Sequence, residues 1–122
     1  MPPSGVSQLL VDGETIAEMS YGSSLGPAAV RAAGVRAVEV VGPVPVGALV
    51  VTTARVLVVA LQPGGRVSRL AWEVALDDLV LDLTGPEDVL IVRDRADVTV
   101  VFAPGERPDA ARLRAALGPS AS

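Results

Sequence analysis

The side chains best suited to chemistry in this chain are its carboxylates. Asp77, Asp78 and Asp82 lie near one another, as do Glu87 with Asp88 and Asp94 with Asp97. Carboxylates so spaced can exchange protons with a substrate or hold a hard metal ion. Each group falls at a turn or strand end, however, where charge is solvated and opposes edge pairing. The partners that catalysis needs are also missing by type. The chain has no Cys and no His, so thiolate or imidazole metal sites, disulfides and the common nucleophile–base pairs cannot be built. Gly22-Ser-Ser-Leu-Gly26 follows neither standard nucleotide-binding pattern and lacks a following lysine. The expectation is a protein that is not an enzyme and uses no cofactor or metal.

Charge and size narrow the class further. All ten basic residues are Arg, against 14 Asp and Glu, for a net charge of −4. That balance disfavours nucleic acid as a partner, because binding it requires neutralising several phosphates at once. The 122 residues are 50% hydrophobic, with a mean hydropathy of +0.49. Disorder is therefore excluded and one domain is expected. Val40 to Val58 holds a single charge, Arg55, and is the segment closest to a membrane span. Its Gly42, Pro43, Pro45 and Gly47 and its many valines suit two strands better than a helix. The N-terminus has neither positive charge nor an apolar run, so no secretory signal is expected and a cytoplasmic location follows.

The elements that must position any site read mainly as strands. Expected strands cover about 14–21, 35–41, 48–53, 55–61, 66–76, 79–84, 89–93 and 97–102. Turns fall at Asp12-Gly13, Gln62 to Gly65, Gly85-Pro86 and Asp94 to Ala96. Gly22 to Gly34 reads as a long loop with a short helix at Pro27 to Ala33, and Gly42 to Pro45 as a strand break. Alternation in 66–76 points Leu70, Trp72 and Val74 inward. A C-terminal helix from Arg107 or Pro108 to Leu117 has Ala110, Leu113, Ala116 and Leu117 on one face. A run of antiparallel strands must hide its edges, and one amphipathic helix is a natural plug for an open end.

Four pieces of sequence resemble one known family. Gly47-Ala-Leu-Val-Val-Thr52-Thr-Ala-Arg55-Val-Leu is similar to the central hairpin of GRAM domains and bacterial PH-like domains. Leu10-Val-Asp-Gly13-Glu14-Thr-Ile16 resembles their opening, and Val74-Ala-Leu76-Asp-Asp78-Leu79 resembles their downstream turn. Val98 to Phe102, followed by Glu106 to Leu117, resembles the closing strand and capping helix. The tryptophan strand, Leu70 to Val74, is also similar to the PH-like module that ends bridge-type lipid-transfer proteins of vacuolar sorting. Departures are Ala75 in place of the usual proline, Val50 in place of an aromatic, and the apolar tract Pro43 to Val46.

The resemblance implies a mainly β, PH-like, strongly bent antiparallel barrel of seven or eight strands capped by one helix. It spans residues 9–117, with 1–8 and 118–122 as flexible termini. In the residues themselves, Gly47 sits where a side chain would crowd the strands. The Thr52 hydroxyl can bond the turn backbone, and the Arg55 guanidinium can hold carbonyls or a carboxylate, with Asp78 a plausible partner. The expected role is non-catalytic: recruitment of a protein partner or self-association, through a free edge or through an apolar patch in Val38 to Val46. The alternative is peripheral binding of phosphoinositide or anionic lipid by Arg31 and Arg36, in the loop that the PH superfold often uses for this.

Overall fold

The computed structural model describes residues 4–118. Eight strands and two helices follow in order: β1 (Ile16–Ser24), α1 (Pro27–Ala32), β2 (Glu39–Val40), β3 (Val44–Thr52), β4 (Arg55–Leu61), β5 (Val67–Ala75), β6 (Val80–Asp82), β7 (Leu90–Arg93), β8 (Val98–Pro104) and α2 (Arg107–Leu117). The expected mainly β architecture with one C-terminal helix is present. The strand order is β5-β4-β3-β1-β8-β7-β6, antiparallel throughout, with β2 added in parallel to the start of β8. A sheet so ordered, with a helix after its last strand, is compatible with a PH-like arrangement. It does not close into a barrel, because β5 and β6 are unpaired edges.

The apolar runs are nearly continuous because the middle of the sheet is covered on both faces. Leu49, Val51, Val56, Val58, Leu90, Val92, Val100 and Phe102 point inward with Trp72 and Val74, and Leu113 of α2 joins them. The alternate residues point outward into two smaller clusters. Val50 and Leu57 meet Val6, Leu9 and Leu10 of the N-terminal segment. Ile91 and Val101 meet Val30 of α1, with Val35 and Ala37 beyond it. The packed body thus begins before the expected residue 9, since Val6 is fully buried. Residues 1–3 and 119–122 of the expected termini lie outside the described residues.

Three departures from the expected elements have clear physical causes. Residues 35–41 alternate like a strand, yet only Glu39–Val40 pair. β1 already occupies β8 from Phe102 to Pro104 and the Leu25 N–H takes the Val101 carbonyl, so the newcomer pairs only at Val98 and Thr99. The expected break at Gly42 to Pro45 ends early, and β3 starts at Val44. Its register with β1 slips between Gly22↔Gly47 and Ser24↔Val44, and Pro45 sits in that slip, where no ladder N–H is required. In β5, Val58 pairs with Trp72 and Val59 with Leu70, so Ala71 is a bulged residue. The bulge turns Ala71 inward with Trp72 and Leu70 outward, against the expected inward Leu70. On α2, Ala110 and Leu113 are buried, but Ala116 lies on the exposed side.

Polar ties hold α2 in place. The Ser20 hydroxyl donates to Asp109 at 2.8 Å, and Arg112 pairs with Glu18 and Asp109. Arg114 donates to the carbonyls of Glu87 and Val89. Gly47 sits where expected for close packing: a Cβ there would lie 2.6 Å from the Val59 carbonyl oxygen and 2.8 Å from Val44 Cγ1. The first contact is with backbone and cannot relax without moving β4. Gly47→Ala is expected to destabilise the fold by about 2 kcal/mol. Urea unfolding checks this, with a lower midpoint and an unchanged slope as the expected result.

Candidate functional site

The turn residues picked out in the sequence form the most connected polar site of the molecule. At the β3–β4 turn, Thr52 Oγ1 accepts from the N–H groups of Ala54 (3.1 Å) and Arg55 (3.0 Å). The hydroxyl proton goes to Glu14 Oε2. Arg55 grips Glu14 with two nitrogens, Nε to Oε2 at 2.9 Å and Nη2 to Oε1 at 3.0 Å. It also donates to the Leu9 carbonyl and pairs with Glu73 of β5. The Val11 N–H completes the set around Glu14 at 3.0 Å. Arg55 thus holds both a carbonyl and carboxylates, as its type and place predict.

Its partner is not the expected Asp78. Asp78 lies in the 3-10 turn Leu76–Asp78 between β5 and β6 and pairs with Arg95 at 2.8 Å. Arg55 is instead taken by Glu14, whose carboxylate receives several donors at once. The sequence carried a signal for this, because Glu14 belongs to the opening segment Leu10 to Ile16, but nothing local tied that segment to the hairpin. Arg55 and Asp78 do line one cleft of about 720 Å³, together with Glu14, Glu73, Asp94 and Arg95.

The Glu14 side chain is only 1% exposed. Hydrogen bonding from Arg55 outweighs the desolvation that opposes ionisation, and with Thr52 and Val11 it lowers the carboxyl from 4.5 to about 2. Arg55 is raised in return, chiefly by its hydrogen bond with Glu14. Asp82 is also lowered to about 2, by the hydroxyl of Thr84, by Arg93 at 2.7 Å and by the Thr84 N–H. Arg93 also donates to the buried Thr99 hydroxyl at 2.7 Å. Of the remaining carboxylates considered for chemistry, Asp94 accepts from the N–H groups of Ala96 and Val98 and shapes the β7–β8 turn. Asp97 occupies that turn with φ 63°. Glu87 and Asp88 are exposed.

The loop residues Arg31 and Arg36 are brought together. Both are exposed and line a second cleft of about 720 Å³, with Val35, Val38 and Glu39 on its wall. Among the described residues neither has a carboxylate at ion-pair distance. Arg36 also lines a smaller adjoining cleft of about 380 Å³, where Arg93 is committed to Asp82 and Thr99. Val38 and Val46 are 87% and 60% exposed, whereas Val44 is buried, so the apolar tract is divided between surface and core. Among the described residues no helix is long and apolar enough to cross a membrane. No protein-family model matches the chain, and no curated protein matches it either.

The Glu14 site sets a pH response. Its folded pKa lies below the unfolded value, so its stabilisation is fully present above pH 4.5 and is lost as pH falls toward 2. Glu14→Gln is expected to reduce stability by about 2–3 kcal/mol at neutral pH, as loss of a charged hydrogen-bond partner does. It should also flatten the decline between pH 4.5 and 2, leaving the part due to Asp82. Thermal melts of both proteins across that range measure the effect.

Proposed function

We propose that this chain is a PH-like module of the GRAM or bacterial PH type, working in the cytoplasm without catalysis, that recruits a protein partner by strand addition. The observation that carries this reading is the open sheet, with nine-residue β5 as one free edge. An edge strand offers a row of main-chain donors and acceptors to an extended segment, and that is a recurring mode of peptide recognition. The strand order, the C-terminal helix on the inner cluster, and the placement of Gly47, Thr52 and Arg55 support the PH-like assignment. Three of the carboxylates considered for catalysis support a non-catalytic role, since Asp78 and Asp82 are spent on ion pairs and Asp94 on a turn. Val38 and Val46 supply exposed apolar surface to a partner or a second copy.

A second reading is peripheral binding to anionic lipid through Arg31 and Arg36. It is favoured by one observation: among the described residues the two arginines have no ion-pair partner, and they share a cleft beside exposed Val38. Against it, Glu39 lines the same cleft and, among the described residues, no third arginine does. Two basic residues contribute only about 2 kcal/mol at an anionic surface, too little to hold the domain there.

Flotation with neutral, anionic and phosphoinositide-containing liposomes separates the readings. At physiological salt the protein is expected to stay unbound in all three. Flotation with the charged vesicles that disappears in the R31A/R36A double variant would replace partner recruitment with lipid recruitment.

A further inference from the structure

The two edges of the sheet are unequal. β6 has three residues, too few to hold an added strand, whereas β5 has nine. Among the described residues, the backbone of β5 makes one hydrogen bond away from β4. The Val67 N–H donates to the Ser4 carbonyl at 2.9 Å. The start of this edge therefore already accepts main chain from another segment, and the rest of it makes no such bond among the described residues.

The uncommitted charges along that edge are positive. Arg66 and Arg69 are exposed, and among the described residues neither has a carboxylate at ion-pair distance. By contrast, Arg55, Arg93, Arg95 and Arg112 all sit in ion pairs. The single acid of β5, Glu73, is held by Arg55 and does not neutralise them. Leu70, turned outward by the bulge at Ala71, adds exposed apolar surface next to Arg69 in the strand.

We propose that the free edge of β5 takes an extended segment that carries carboxylates beside Arg66 and Arg69. This rests on the strand-addition reading above and adds the chemistry of the partner. A second copy of this chain fits less well, because its β5 would bring two more arginines and no uncommitted acid. Charged side chains on an edge discourage indiscriminate pairing, and here they select the sign of the segment that pairs. The overall charge of −4 does not override this, since exposed charges more than about 10 Å away are largely screened at 0.1 M salt.

Trp72, the only tryptophan, lies on β5 and reports on its edge. The intact chain is titrated with a capped octapeptide alternating Val and Glu, and with its Val and Lys counterpart. Tryptophan emission gives affinity, and amide hydrogen exchange gives the location. The acidic peptide should slow exchange across 67–75 and bind at least about fivefold more tightly than the basic one, as opposite charges across strands do. The R66E/R69E variant should reverse that order. R66Q/R69Q should abolish the preference, and it serves as the milder change if charge reversal disturbs folding. Equal binding of both peptides at β5 would overturn the acidic preference and leave strand addition standing. Protection of β5 by neither peptide would overturn both.

Discussion

The Glu14–Arg55 ion pair ties together three separate parts of the chain. Glu14 comes from the segment before β1, Arg55 from the β3–β4 turn, and Glu73, also held by Arg55, from β5. The Leu9 carbonyl on the same guanidinium fixes the approach of the N-terminal segment. That segment carries Val6 onto Val50 and Leu57. Without it, an apolar face of the central strands would meet water. A bidentate arginine suits this junction, since its planar fork fixes direction as well as distance. The same pair explains why β1 begins at Ile16 rather than at Glu14: the carboxylate turns inward toward the hairpin before the ladder starts.

Coverage of both faces also accounts for the composition. A sheet with one wet face alternates apolar and polar residues, whereas Ala48 to Val51 and Val56 to Val59 are buried without interruption. Small and β-branched side chains fill the space on both sides, so the fold needs very few aromatics. Where strands must approach most closely, glycine takes over. A Cβ on Gly22 would fall 2.3 Å from the Ala103 carbonyl oxygen, at the point where β1 passes from β3 to β8. The surface left for function is therefore the periphery: the sheet edges, the cleft of Arg31 and Arg36, and the turn clusters.

Most of the strands were legible because hairpins declare themselves locally. Thr52 and Arg55 flank a tight turn, Gln62 to Gly65 and Asp94 to Ala96 mark two more, and Pro108 with Gly118 brackets the last helix. Properties that depend on distant chain were harder to read. The partner of Arg55 lies 41 residues away, and several carboxylates compete for it on type alone. Residues 35–41 alternate because Val35 and Ala37 pack beneath α1, and a segment draped over a sheet shows the same period as a strand in it. The bulge at Ala71 has no signature in alternation, so Leu70 was placed on the wrong face. Arg31 and Arg36 lie close in sequence and line one cleft. That Arg66 and Arg69 stand without a carboxylate among the described residues has no signature in sequence, because it depends on where the acids of distant strands are spent.

The strand order carries a consequence for how the chain folds. β3-β4-β5 and β6-β7-β8 are two meanders whose neighbours are also neighbours in sequence. Each can close through short loops at small entropic expense. They are joined through β1, which pairs with β3 on one side and at Gly22–Ser24 with Phe102–Pro104 on the other. That second seam links chain about 80 residues apart and must form late, because contacts between remote segments wait for the longest loop to close. α2 leaves β8 directly after the seam, and its Leu113 enters the cluster shared by both meanders. The helix thereby ties the two halves of the sheet together.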